Sequence, residues 1–261
     1  MVKVIIFDLD DTLLWDKKSV ETAFQVTCQL AATQVSIDPI KLEEAVRIEA
    51  SELYASFETY SFTKLIGINP FEGLWGTFDD EGELFQKMKT LVPAYRREAW
   101  TKGLLRIGID DAELGKQLAE HFPVARKAHP FLYKETIQVL DRLKDSYQLV
   151  LLTNGSPSLQ QTKLEITAEL APYFTHIVIS GAFGKGKPDP AIFQFVLSQC
   201  NLQADEVIMV GDNLMTDILG ASRAGIRSVW INREKKQPDK DIKPTYEITN
   251  LEEMIPILDD L

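Results

Sequence analysis

Cysteine is scarce: the 261 residues contain two, Cys28 and Cys200. Neither has a partner at metal-site spacing, so no disulfide framework and no zinc site is expected, and both read as small core residues. A run of about 18 apolar residues is missing as well, which removes a membrane-spanning helix. No basic, apolar or small-residue leader precedes the first apolar strand pattern, and a cytoplasmic protein is expected. Positive charge is also in deficit. With 28 Lys and Arg against 39 Asp and Glu, a net charge of −11, the chain lacks the basic clusters that hold nucleic acid or an anionic membrane. An anionic substrate has to be attracted locally. Repeats and low-complexity tracts are absent. What is present is a globular composition, 45% hydrophobic, long enough for one large domain or a domain with an insertion.

The most informative stretch is Val4-Ile5-Ile6-Phe7-Asp8-Leu9-Asp10-Asp11-Thr12, where an apolar run ends in three carboxylates. The run reads as a strand covered on both faces, as in parallel sheets. Ligands of such sheets bind outside the carboxyl ends of the strands, where Asp8 and Asp10 fall. Side chains alternate along extended backbone, so positions 8 and 10 share a side and Asp11 points elsewhere. Two converging carboxylates repel. Unless one is protonated they need a counter-charge, and a divalent metal with oxygen ligands is the ordinary answer.

The next comparable strand signal, Tyr147 to Leu152, comes about 140 positions later, whereas a βαβ unit needs only ~30 residues. The surplus reads as an inserted, mainly helical second domain over 16–125, with the core formed by 1–15 and 126–261. Val20, Phe24, Cys28 and Ala31, then Leu42, Ala45, Val46, Ala50 and Leu53, recur at helical spacing. Further helices are expected over 83–104 and 111–122, with Pro39, Pro70 and Pro123 at or near breaks. Residues 67–78 mix loop-formers with Phe71, Trp75 and Phe78 and read as a long, partly packed loop. Beyond about Ala125 helix and strand alternate. Strands are expected at 147–152, 176–180, 206–210, 227–231 and 245–248, and helices at 158–170, 190–200, 214–224 and 251–258. The rhythm is that of an α/β fold with a doubly wound parallel sheet.

The other strand exits carry matching chemistry. Thr153-Asn154-Gly155-Ser156-Pro157 offers a hydroxyl and then a helix start, an anion site if its amides are free. A second exit leads Lys187 into Pro188-Asp189-Pro190, and a third gives Gly211-Asp212-Asn213, with Asp217 just inside the following helix. Each feature alone has a bland explanation as a cap or a surface charge. Together they set two aspartates, a hydroxyl, a lysine and another carboxylate at the ends of four strands of one sheet.

In these four motifs the sequence resembles the haloacid dehalogenase superfamily of phosphohydrolases. Asp8, Asp10 and Thr12 match its first motif, Thr153 its second, Lys187 before Pro-Asp-Pro its third, and Gly211, Asp212 and Asp217 its fourth, in order and with none missing. The resemblance implies a Rossmann-like core with a helical cap inserted after the first motif. It implies that Asp8 attacks phosphorus to form an aspartyl-phosphate and that Asp10 acts as general acid and then general base. Asp8, Asp212 and the Asp10 carbonyl would hold Mg²⁺, with Mn²⁺ or Co²⁺ as alternatives. Thr153, Asn154 with its neighbouring amides, and Lys187 would bind the phosphoryl group, with Thr12, Asn213 and Asp217 in support. Carbon–halogen-cleaving members differ at Asp10 and need no metal, so a phosphatase is expected, with a phosphomutase as a variant. The strings at 68–75 and 179–188 are similar to those of a bacterial subgroup assigned phosphoserine phosphatase activity, which points to O-phosphoserine. Nucleoside monophosphates, sugar phosphates and phosphoglycolate are alternatives. The cap is expected to read the leaving group, with Arg96 and Arg97 as candidate carboxylate partners. A phosphoryl-accepting signalling domain of the receiver type combines the same residue types, but its acceptor Asp does not follow the first strand. Partners are expected to be a small phosphomonoester and, at most, a second copy in a homodimer.

Overall fold

The computed structural model describes residues 1–261. In chain order, β1 (Val4–Phe7) is followed by six helices: α1 (Asp16–Gln34), α2 (Pro39–Ala55), α3 (Tyr60–Ile66), α4 (Pro70–Gly73), α5 (Glu83–Arg106) and α6 (Ala112–Ala128). Then come α7 (Thr136–Leu143), β2 (Gln148–Thr153), α8 (Pro157–Ile166), β3 (His176–Ile179), α9 (Ser180–Phe183) and α10 (Pro190–Cys200). The chain closes with β4 (Val207–Gly211), a π-turn at Leu214–Ile218 running into α11 (Leu219–Arg223), β5 (Arg227–Ile231), β6 (Tyr246–Ile248) and α12 (Met254–Asp259). Two compact units result. One comprises Met1–Trp15, Leu132–Gly155 and Thr167–Leu261; the other comprises Asp16–Phe131 and Ser156–Ile166.

The first unit is built on a six-stranded, wholly parallel sheet in the order β3-β2-β1-β4-β5-β6. Helices cover both of its sides, as the apolar strands require. Because side chains alternate, Val4, Ile6, Val150, Leu152, Val207 and Met209 face one way and pack with Ile192, Phe193 and Val196 of α10. Phe7, one residue out of phase, meets Phe174 edge-on at 6.4 Å. In register, Phe7 lies beside Leu151 and Val210, and Thr153 beside Ile179. The motif residues therefore leave the sheet at one level.

The second unit is helical and packs around Phe24, whose ring lies 4.6 Å from Phe122, 5.9 Å from Trp100 and 6.0 Å from Phe71. Pro39 and Pro70 occupy first helical turns, but Pro123 does not end a helix. α6 continues to Ala128, because Phe122, Ala125 and Arg126 form one buried face on either side of the proline and their burial outweighs one lost backbone hydrogen bond. The loop expected over 67–78 contains α4, held by a reciprocal capping box between Asn69 and Glu72, with Trp75 and Phe78 buried after it. Arg96 donates to the carbonyls of Gly73 and Gly76, so it pins this loop, while Arg97 is exposed.

Residues 126–131 and α8, expected with the core, lie in the second unit. The reason is electrostatic as well as apolar. Lys163 of α8, 1% exposed, donates to Glu72 Oε1 at 2.9 Å and stands 3.8 Å from Asp16 Oδ1. Arg126, 2% exposed, pairs with Asp16 and lies over the Trp75 ring at 4.6 Å. Two cations and two carboxylates are thus buried together, where each needs the others. Burial pushes the Asp16 carboxyl up, but Lys163 and Arg126 outweigh it and hold the group below its ordinary value of 3.8. A lowered folded-state pKa stabilises the fold above the ordinary value and stops doing so as pH falls through the lowered one. Asp16→Asn is therefore expected to cost about 3–5 kcal/mol at pH 7 by urea denaturation. The deficit should shrink on acidification below about pH 4; a deficit that widened there would contradict the assignment.

Candidate active site

The chain leaves β1 through a tight turn in which Leu13 and Leu14 donate to the Leu9 carbonyl at 3.0 and 2.9 Å. Asp11, at φ 60°, takes the left-handed conformation that lets the turn close. Asp8 is held at the strand end by its own N–H, which donates to Val210 O at 2.9 Å. Its carboxylate, in a residue 7% exposed, receives the Thr12 hydroxyl on Oδ2 at 3.4 Å. Asp10 follows two residues later, half-buried and bridged to Leu14.

Lys187 is the cation of the site. It is 5% exposed, and its ammonium stands 2.5 Å from Asp8 Oδ1, 2.7 Å from Asp217 Oδ1 and 2.8 Å from Leu152 O. Three donors face three oxygens, which is how a lysine tolerates burial. Burial alone would lower its pKa; Asp217 and Asp8 outweigh burial and raise it, so the ammonium stays charged. The Asp8 carboxyl is raised to about 6: burial pushes it up, the Lys187 ammonium offsets part of that rise, and the Asp217 charge adds to it.

Asp217 reaches Lys187 from inside the π-turn. Its Oδ2 accepts the Asn213 N–H at 3.0 Å, while the Asn213 side chain accepts from Met215 N at 2.9 Å and starts the turn. Gly211 makes the approach possible: a Cβ there would stand 2.3 Å from the Asp217 carboxylate. Asp212, half-buried, presents its carboxylate to the same place. Ligand oxygens of Asp8, Asp212 and Asp217 all lie within 4.8 Å of one another. The donor set is hard and oxygen-only, and Asp8 and Asp217 share a single ammonium, which fits a divalent cation of the Mg²⁺ type.

Thr153 is buried at the end of β2. The Asn154 side chain does something that its position in the sequence does not reveal. Its Oδ1 accepts the Lys187 N–H at 2.8 Å and its Nδ2 donates to the Lys187 carbonyl at 3.0 Å. The helix start that follows, read from sequence as an anion site, is filled by the protein's own Asp80. That carboxylate accepts from Ser158 N at 2.6 Å, Ser156 Oγ at 2.5 Å and Ser158 Oγ at 2.8 Å. A carboxylate at a helix N-terminus is well placed, but this one leaves α8 no free first turn.

Sequence reasoning missed Arg233. From the loop after β5 it donates to Glu135 Oε1 at 2.6 Å and to Thr12 O at 3.1 Å. Its guanidinium lies 3.5 Å from the centre of the Tyr133 ring, which in turn stacks on Trp15 at 5.2 Å. Arg233 thereby ties the turn after β1 to the chain returning at 132–136. The strand-exit logic that found the other residues, applied to β5, would have found it.

A family model described as haloacid dehalogenase-like hydrolase matches residues 2–225. The chain belongs to this family. A phosphoserine phosphatase of Thermus thermophilus is 30% identical over 253 residues, covering 97% of this chain and 98% of that one. An N-acylneuraminate-9-phosphatase of mouse is 30% identical over 183 residues, covering 69% and 73%. Among solved structures, the Bacillus subtilis HAD-hydrolase YfnB, described as bound to magnesium, aligns with a TM-score of 0.68 over 99% of both chains at 21% identity, a likeness of fold. The family expected from the four motifs is thus the family found, and the hydrolase class takes precedence over a receiver-type domain.

Gly211→Ala tests how this family site is packed. The added methyl has to displace the Asp217 carboxylate from Lys187, so a loss of about 1–3 kcal/mol of stability is expected by denaturant unfolding. Unchanged stability would show that the carboxylate can move freely.

Proposed function

We propose that the protein is a Mg²⁺-dependent phosphomonoester hydrolase that works through a phosphorylated Asp8 and takes O-phosphoserine as substrate. The observation that carries this reading is the buried Lys187 ammonium between Asp8 and Asp217, with Asp212 completing an acidic trio. A nucleophilic carboxylate, a fixed cation and a hard-metal donor set at one sheet end are what phosphoryl transfer requires.

An oxygen of the Asp8 carboxylate forms the bond to phosphorus as the bond to the leaving oxygen breaks. Asp10 gives its proton to that oxygen, so the alcohol departs neutral. The resulting Asp10 carboxylate takes a proton from water as the water oxygen attacks the aspartyl-phosphate, which releases inorganic phosphate and restores Asp8. Lys187, the Thr153 hydroxyl and the Asn154 main-chain amide hold the phosphoryl oxygens as charge shifts among them. Asp8, Asp212 and the Asp10 carbonyl would hold the metal, with Thr12, Asn213 and Asp217 in support. Mg²⁺, when bound, screens the Asp8 charge from the phosphoryl group.

O-phosphoserine is favoured by the phosphoserine phosphatase relative, whose similarity extends over nearly the whole chain, inserted unit included. A sugar phosphate is the second reading, favoured by the N-acylneuraminate-9-phosphatase relative. Phosphate release from a panel of phosphomonoesters, with and without Mg²⁺, decides. O-phosphoserine is expected to lead, EDTA and Asp8→Asn to abolish release, and Lys187→Ala to lower kcat by about 10²–10³-fold. If a sugar phosphate leads, the substrate assignment falls and the chemistry stands; if Asp8→Asn retains turnover, the chemistry falls.

A further inference from the structure

The Lys187 side chain carries a long, flexible stem, yet the reaction proposed above needs its ammonium at one point, and an error of about 1 Å there can cost about 10²-fold in rate. Something must fix the backbone from which it springs. Asn154 meets the Lys187 peptide as a second peptide would, its Oδ1 accepting the N–H at 2.8 Å and its Nδ2 donating to the C=O at 3.0 Å. Such pairing restrains both backbone torsions of Lys187 at once.

Asn154 is itself well anchored. The preceding residue, Thr153, is in register with Ile179 in the sheet. The following residue is held by its N–H on Ser180 Oγ at 2.9 Å and by its carbonyl, which accepts from Gly181 N at 3.0 Å. On the other side, Gly186 clears the space: a Cβ there would lie 2.7 Å from Asn154 Oδ1 and 3.0 Å from Nδ2. The exit of β2 and the loop carrying Lys187 are thus joined by one side-chain amide, and the sequence leaves room for it.

We infer that Asn154 is a positioning residue, acting on the reaction through Lys187 by clamping its peptide group, and that its side chain is not a ligand of the substrate. This rests on the phosphohydrolase reading for its kinetic consequence but not for its structural one, so two measurements are combined.

The first is a double-mutant cycle with p-nitrophenyl phosphate, which is independent of the physiological leaving group. Asn154→Ala should lower kcat by about 10–100-fold, the range for outer partners that orient a functional group, with KM little changed. In a Lys187→Ala background the same substitution should change turnover less than about twofold, because residues acting through one another are non-additive. The second is modification of Lys187 by acetic anhydride, followed on its tryptic peptide against the exposed Lys185 as internal reference. Asn154→Ala should speed acetylation of Lys187 about tenfold or more as the clamp opens. Gly186→Ala, which crowds the amide from the other side, should do the same.

Unchanged Lys187 acetylation in both variants overturns the inference, as does a full, multiplicative loss in the Lys187→Ala background with a raised KM. Should wild-type protein release no phosphate at all, the phosphatase reading fails, and the acetylation rates alone decide the clamp.

Discussion

A lysine ammonium buried between two carboxylates is the constraint on which this site depends. Lys187 is buried, so Asp8, Asp217 and Leu152 O must solvate most of its ammonium. Each of those oxygens is in turn delivered by a different part of the sheet: Asp8 by the exit of β1, Leu152 by β2, and Asp217 by the π-turn after β4. Removing the ammonium would leave two buried carboxylates without their shared cation, which is far more costly than never having built the pair. The parallel sheet matters because it brings these exits to one level. Gly186 and Gly211 matter because side chains there would occupy the space that the clamp and the carboxylate need.

Much of this was legible in the chain itself. Apolar runs ending in Asp8, Thr153 and Gly211-Asp212 mark strands whose exits carry chemistry, and parallel topology then sends those exits to the same edge. What stayed hidden is what depends on partners distant in sequence. Asp80 fills the start of α8 from 78 residues away, and no local pattern tells a helix N-terminus that will meet a ligand from one that will meet its own protein. Asn154 looks like a phosphate-facing side chain because it follows Thr153; only the fold reveals Lys187 within its reach. Pro123 reads as a break because propensity is local, whereas the buried face of α6 is a tertiary property.

The second unit carries its own buried electrostatics, and these explain its membership. α8 follows a core strand in sequence, yet Lys163 pairs with Glu72 and lies near Asp16, and Leu159 joins the apolar cluster around Phe24. Arg126 closes the group through Asp16 and Trp75. Three buried ionic groups around the partly buried Asp16 make a register that few other packings would satisfy, a specifying role that buried polar groups can have. The sequence shows four charged residues, at 16, 72, 126 and 163, with nothing to connect them; their pairing exists only once the helices have packed.

The central claim is that Asp8 becomes phosphorylated, and trapping the phosphorylated protein tests it most directly. Enzyme mixed with substrate and Mg²⁺ is quenched within one turnover, treated with borohydride to reduce any acyl phosphate to an alcohol, and digested for mass spectrometry. The account predicts homoserine at position 8 and unmodified aspartate at positions 10, 212 and 217. Reduction at another carboxylate, or phosphate released in the same turnover with position 8 unmodified, would contradict it.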